Sequence, residues 1–507
     1  LRTSLNDSDK ISVNIITEFC IVDNAEIFSR VRMDNRIDSL SLLDLPVEEM
    51  RRLGYALVEK LIERHLAMPA LQIQHPPTRA ELERKLREPL PERGIPIDDV
   101  LAQLDREVWP NVIPTNHPRF FAFVSTPNNF VSVLADALSA AMTAYAGSWL
   151  EAAGPAMIEL VVIEWLRQLV GMPEGTGGHC VTGGSVANLT ALAVARHAKL
   201  QDRVEGATLY CSDQTHGSIR RAFRILGFQF EQMRIIPTNA RFEIDVTALE
   251  QAIARDRTEG KRPFCVVATA GTTNTGSIDP LAKLAGVCAR ENLWLHVDGS
   301  YGAAIALTAR GPELLSGIER VDSLTLDPHK WWFQPYELGC VLIRQPHLLR
   351  EAFQYSAEYL QDTQGAHDEI NFGDEGLQFT RTFRALKLWM SLKVFGVETF
   401  RRAVQYGVDL GEHAEKTLRA SSCWEILSCA QIGVIVFRYI RPGLSDTELN
   451  HLNHAIAAAS LNDGFAFVTS TTLRGLTALR FCTINPRTTF DDIRQTIARL
   501  ETCGNRL

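Results

Sequence analysis

The stretch Ser323-Leu324-Thr325-Leu326-Asp327-Pro328-His329-Lys330-Trp331 joins a short apolar run to a carboxylate, a proline-fixed turn and a basic pair. A run this short and continuously apolar suits a strand buried on both faces. The same unit recurs upstream in Thr208-Leu209-Tyr210-Cys211, Cys265-Val266-Val267-Ala268 and Trp294-Leu295-His296-Val297, and downstream in Gly339-Cys340-Val341-Leu342-Ile343. Helix-length segments separate these runs. The pattern predicts an α/β fold, with a parallel or mixed sheet covered by helices on both faces.

Outward from that region the character changes. Residues 1–45 follow no usable pattern and read as an unassigned arm. Residues 46–129 form a helical segment: Val47–Leu66 places Leu53, Ala56, Leu57, Leu61 and Ile62 near helical spacing. A proline-rich connector and a charged helix from Thr78 lead to Asn116–Asn129, extended or irregular because Pro118 and Pro127 break it. The large domain is expected over 130–395. A small α+β domain is expected over 396–507, with candidate strands Val434–Tyr439 and Leu479–Cys482.

Composition bounds the function. With 507 residues the chain has room for two or three units. A net charge of −8 argues against a nucleic-acid partner. The most apolar region, Val131–Met172, is interrupted by Asp136, Glu151, Glu159, Glu164 and Arg167, which argues against a membrane span. The N-terminal residues lack a secretory pattern. Ten scattered cysteines without a Cys-x-x-Cys pair suggest reduced thiols and a cytoplasmic location. His451 and His454 lack an apparent third ligand, so no metal is expected. Asn188-Leu189-Thr190 fits a glycosylation pattern but sits in a helix.

Four features fall at strand ends, where open α/β sheets collect ligands. Thr182-Gly183-Gly184-Ser185 opens the predicted helix Val186–Leu200, and close backbone approach plus helix-start N–H groups suit a phosphate. Alone, such a pair is more often a turn and N-cap. Asp298, ending Trp294–Val297, could pair with a pyridinium nitrogen; a turn-capping Asp is the plain alternative. Lys330 follows a fixed turn, and partial burial could lower its pKa enough for imine formation, although most His-Lys pairs are surface residues. His216, in Ser212-Asp213-Gln214-Thr215-His216, could stack on a cofactor ring or simply occupy a turn.

Their order changes the reading. A Gly/Ser phosphate cup, a ring-stacking His, a strand-end Asp and a later Lys are the successive parts of a pyridoxal 5′-phosphate (PLP) site. With His117-Pro118-Arg119-Phe120-Phe121-Ala122-Phe123, Ala270-Gly271-Thr272-Thr273 and Phe383-Arg384-Ala385-Leu386-Lys387, the chain resembles the group II PLP-dependent decarboxylases from about Pro46 onward. Its nearest likeness is to the aromatic-L-amino-acid branch and its aldehyde synthases.

The resemblance implies the type I, aspartate aminotransferase-like fold, with a seven-stranded, mostly parallel sheet. It implies Lys330 as the Schiff-base lysine, Asp298 on the pyridine nitrogen and His216 stacked on the ring. Gly184, Ser185 and His329 would hold the phosphate. Thr273 would lie beside the cofactor and Ser300 under the ring, where relatives often have alanine. Phe123, Val124 and Thr126 match pocket positions, and Trp149 matches a residue reaching in from a partner subunit, which implies a homodimer. Such walls favour an aromatic side chain on the amino-acid substrate. The implied chemistry is decarboxylation through a quinonoid intermediate.

One position departs from the decarboxylating members. Counting back from Phe383-Arg384 puts Phe372 where they carry a mobile-loop tyrosine that protonates Cα, and no tyrosine lies between Tyr359 and Tyr406. Phenylalanine has no proton to donate. The aldehyde synthases, which use O₂ for oxidative deamination, resemble the chain here. Phe372 could instead only pack the loop while His367, His216 or water donates. Another fold-type I activity, such as an aminotransferase, and a non-catalytic PLP-binding protein stay open at this stage; the Asp-Pro-His-Lys-Trp segment points away from the former and intact Lys330, Asp298 and His216 from the latter.

Overall fold

A computed structural model describes residues 43–354 and 369–507. Most of the expected N-terminal arm and the alternative donor His367 lie outside the described residues. The chain divides into two compact units between Ala67 and Met68. In the first, helix Val47–Ala67 carries Glu48 and Glu49 in its first turn and Arg64 and His65 in its last, the charge order that complements a helix dipole.

The second unit is built on a seven-stranded sheet. Its strands are β1 (Gly177–Val181), β2 (Ala207–Ser212), β3 (Met233–Ile236), β4 (Arg262–Thr269), β5 (Trp294–Asp298), β6 (Ser323–Leu326) and β7 (Gly339–Ile343), in the order β1-β7-β6-β5-β4-β2-β3. The pairings among β3, β2, β4, β5 and β6 are parallel, while β7 runs antiparallel to both β6 and β1. The type I fold with its mostly parallel sheet is therefore present.

Burial on both faces explains why these strands read as continuous apolar runs. On β4 and β5, Val266, Ala268, Leu295 and Val297 enter one core, whereas Cys265, Val267 and Trp294 enter the other. β1 and β3 were not foreseen.

A second, antiparallel sheet has the order β10-β11-β9-β8, from β8 (Trp424–Ser428), β9 (Val434–Tyr439), β10 (Thr469–Leu473) and β11 (Leu476–Cys482). Helices Asp446–Asp463 and Phe490–Arg506 share its core with Phe437 and Phe481. The irregular segment 116–129 is tied to this sheet: Phe121 stacks on Phe481 at 4.7 Å, and the Cys482 N–H donates to the Phe121 carbonyl. A long helix, Ala385–Arg419, is interrupted at Gly396.

Since β1, β2, β4, β5 and β6 are mutually parallel in direction, their carboxyl ends open on one side of the sheet. Every strand-end feature singled out from the sequence lies there.

Candidate active site

A cavity of about 390 Å³ lies at those strand ends, lined among others by Gly184, Ser185, His216, Thr273, Asp298, Ser300, His329 and Lys330. Eight separated candidates thus converge. The β1 turn delivers Gly183 and Gly184 to the start of helix Gly184–Leu200. A side chain at Gly184 would not fit, because a Cβ there would stand 2.5 Å from the Ser300 Oγ and 2.9 Å from the Asp327 Oδ2.

Asp298 ends β5 and is 5% exposed. Its Oδ1 accepts from the Ser300 hydroxyl at 2.6 Å and the Ser300 N–H at 3.1 Å, and its Oδ2 accepts from the Asn188 amide at 2.9 Å. Burial pushes this carboxyl up, but the Ser300 hydroxyl, the nearby Lys330 and His296, and Asn188 outweigh it and hold it below the ordinary range. His216 caps the next helix, with Nδ1 2.8 Å from the Ser218 Oγ, and burial lowers its pKa.

Lys330 corrects an expectation. Burial does depress its amine, but Asp327, with Oδ2 3.0 Å from Nζ, and Asp298 outweigh burial and raise the pKa above its ordinary value. The two carboxylates favour the ammonium form, which burial alone would disfavour. Asp327 also accepts the Gly184 N–H at 3.0 Å and lies 3.2 Å from the His329 Nδ1, so it ties the lysine turn to the helix start.

Four other candidates do not line this cavity. Phe123 is exposed, and its carbonyl accepts from Arg480, which also donates to the Thr273 carbonyl at 2.7 Å. Thr126 donates to the Tyr336 hydroxyl at 2.6 Å, and that ring lies 5.0 Å from the His329 ring. Trp149 starts helix Trp149–Val170, its N–H donating to the Asn371 side chain. Phe372 is buried beneath the Arg381 guanidinium at 4.9 Å.

From the sequence, Asp327 and Asn188 are given no part in the site, and Arg480 could either reach the site or pair structurally; its bonds to the Thr273 and Phe123 carbonyls set it beside the site. Asp327 stood inside the quoted motif. Asn188 sits about one turn into its helix, and the one local pattern it belongs to, Asn188-Leu189-Thr190, points to a different role.

The set suits PLP: a helix start with Ser185 and His329 for a phosphate, an anionic Asp298 for a ring N–H, and a lysine amine. Known proteins agree. Residues 80–440 match the model of the pyridoxal-dependent decarboxylase conserved domain. The chain is 44% identical to an aromatic-L-amino-acid decarboxylase of Bacillus atrophaeus over 90% of this chain and 96% of that protein. It is 26% identical to a phenylacetaldehyde synthase of Petunia hybrida over 89% of this chain and 93% of the relative. An Oryza sativa TDC solved with PLP and tryptamine superposes with a TM-score of 0.88, at 25% identity, covering 92% of this chain and 99% of that one. The chain belongs to the pyridoxal-dependent decarboxylase family and is a PLP-dependent carboxy-lyase.

Proposed function

We propose that the chain decarboxylates an aromatic L-amino acid, with Lys330 as the amine that carries the cofactor. The convergence of Lys330, Asp298 and His216 on one cavity beside the helix start at Gly184 carries this reading. When bound, PLP supplies the electron sink for the pair released as the Cα–carboxylate bond breaks. Asp298, kept ionised by its hydrogen bonds, holds the ring nitrogen protonated and makes that sink effective. His216 covers the ring, while Ser185, His329 and the turn at Gly184 fix the phosphate; Thr273 and Ser300 line the same space. Asp327, with Oδ2 3.0 Å from the Lys330 Nζ, would hold that amine as the ammonium whenever it is free. The name of the Bacillus atrophaeus relative supports an aromatic substrate, as do Phe123, Thr126 and Trp149 if a second copy completes the site.

Phe372 favours a second reading. If Phe372 occupies the position from which decarboxylating relatives protonate Cα, it would supply no proton there, and O₂ as co-substrate would take the electron pair instead. The balance is amino acid, O₂ and water giving aldehyde, CO₂, ammonia and hydrogen peroxide. The phenylacetaldehyde synthase among the relatives supports this reading too.

Nine free cysteines among the described residues, six of them buried, support work in a reducing cytoplasm.

Purified enzyme incubated with phenylalanine, tyrosine, tryptophan and DOPA tests both readings, with CO₂, amine, aldehyde, peroxide and O₂ followed together. CO₂ with stoichiometric amine and no O₂ uptake supports decarboxylation and removes the oxidative reading. Failure to release CO₂ from any of them removes the aromatic assignment. Phe372→Tyr should move product from aldehyde to amine. An unchanged ratio means that the proton comes from another group.

A further inference from the structure

Beneath the cavity, Asn188 joins two groups of the site through hydrogen bonds whose directions can be worked out. Its amide nitrogen lies 2.9 Å from the Asp298 Oδ2 and 2.9 Å from the Ser218 Oγ. An ionised carboxylate only accepts, so the –NH₂ must face Asp298 and the Asn188 Oδ1 must face the other way. That oxygen lies 3.0 Å from the His296 Nε2, which must therefore carry the proton. His296 is fully buried and its pKa is lowered to about 4 by that burial, so the ring is neutral and Nδ1 is bare. Nδ1 then accepts the Ser323 hydroxyl at 2.9 Å, and the Ser323 oxygen accepts the Trp294 indole N–H at 2.8 Å.

Every donor in this chain points the same way. Trp294 donates to Ser323, Ser323 to His296, His296 to Asn188 and Asn188 to Asp298. Each link polarises the next toward negative charge on Asp298. The second Asn188 N–H goes to Ser218, whose own hydroxyl is then free to donate to the His216 Nδ1 at 2.8 Å, as the Ser218 N–H does at 3.2 Å. With Nδ1 accepting, neutral His216 carries its proton on Nε2.

We propose that Asn188 is a positioning residue that sets two groups at once, holding Asp298 as the anion for a ring N–H and fixing His216 as the Nε2–H tautomer. His296, Ser323 and Trp294 are the upstream arm that keeps Asn188 in the one orientation able to do this. The inference rests on the reading of Asp298 as the partner of the PLP ring nitrogen.

The test compares full-length apoenzyme reconstituted with PLP and with 1-deaza-PLP, whose ring carries carbon in place of that nitrogen. Affinities come from absorbance titration, without turnover. An anion held by the relay favours PLP only, so the parent should bind PLP more tightly than the analogue. A hydrogen bond to a charged group is worth about 1.5–3 kcal/mol, so Asn188→Asp should weaken PLP binding roughly 10-fold or more and leave the analogue much less affected. His296→Leu should do the same, and His296→Gln, which retains a donor and an acceptor, should restore the preference. Ser218→Ala, which removes the hydroxyl link between Asn188 and His216 but keeps the Ser218 N–H on the His216 Nδ1, should keep the preference and lower turnover.

Equal losses for both ligands in Asn188→Asp and His296→Leu mean a merely structural role and overturn the proposal. So does full PLP preference in both variants. If the parent itself, and Asp298→Asn alike, make no distinction between the ligands, the reading of Asp298 fails first, and that outcome is distinct from failure of the relay. Should Asn188→Asp not fold, the His296 pair decides alone.

Discussion

Arg381 is buried at 3% exposure and donates to Glu159, to the Ala146 carbonyl at 2.8 Å and to the Cys180 carbonyl at 2.7 Å. Its guanidinium also covers the Phe372 ring, so the turn at 372 is fastened to β1 and to helix Trp149–Val170. Beside it, burial pushes the half-buried Glu375 carboxyl up to about 8; Arg381 and Arg350 oppose the rise, and Glu159 and Asp374 add to it. A carboxyl raised in the folded state is buried neutral. Its contribution to stability is complete below its ordinary value of 4.5 and is lost as pH rises through about 8. Glu375→Gln keeps the neutral shape and removes the titration. The melting temperature of that variant should match the parent in acid and pull progressively ahead as pH climbs through this window. Parallel melting curves across the range would refute a neutral Glu375.

At the scale of elements, Gly396 breaks helix Ala385–Arg419 with φ 71° and ψ 154°, a conformation that side chains resist. A Cβ there meets nothing within 4 Å, so Gly396→Ala tests backbone strain without a packing change. The variant should lose about 1–3 kcal/mol in chemical denaturation, and an unaltered midpoint would mean the break shifts at no cost. The strands show what the sequence could reveal. Trp294–Asp298 was legible because burial on both faces writes itself as an unbroken apolar run. β1 was not, since Gly177-Gly178-His179 carries no such run; its small residues answer to β7, where a Cβ on Gly178 would collide with the Val341 backbone. β10 owes its existence to the two-residue turn Arg474-Gly475, both at positive φ, which folds it onto β11. Likewise Lys330, Asp298 and His216 were legible as strand-end residues in a recognisable order. The charge balance at Lys330 was not, because it depends on where the Asp327 carboxylate points. Asn188 was hidden for the same reason: only the packing of its helix against β5 brings its amide to Asp298 and His296.

On the scale of the molecule, the cavity is well furnished for the cofactor and thinly furnished for a side chain. Phe123, Thr126, Trp149 and Phe372 all stand outside its lining. A second copy could supply what one chain lacks, and the surface offers a place for it. Leu134, Leu138 and Met142 recur every four residues on helix Phe130–Met142 and are all exposed, as are Leu150 and Met157 on the next helix. An apolar stripe of this kind costs free energy in water and is relieved by association. The proposed homodimer should therefore be seen in sedimentation equilibrium of the PLP-loaded enzyme. Leu138→Glu combined with Met142→Glu places two charges in the stripe and should shift the population toward monomer. If Trp149 completes the partner's cavity, turnover should fall with the dimer fraction and recover as protein concentration rises, while the cofactor stays bound through Lys330. A variant that remains dimeric would move the interface elsewhere. A monomer with full turnover would return the substrate pocket to the single chain and require Phe123 or Arg480 to shape it alone.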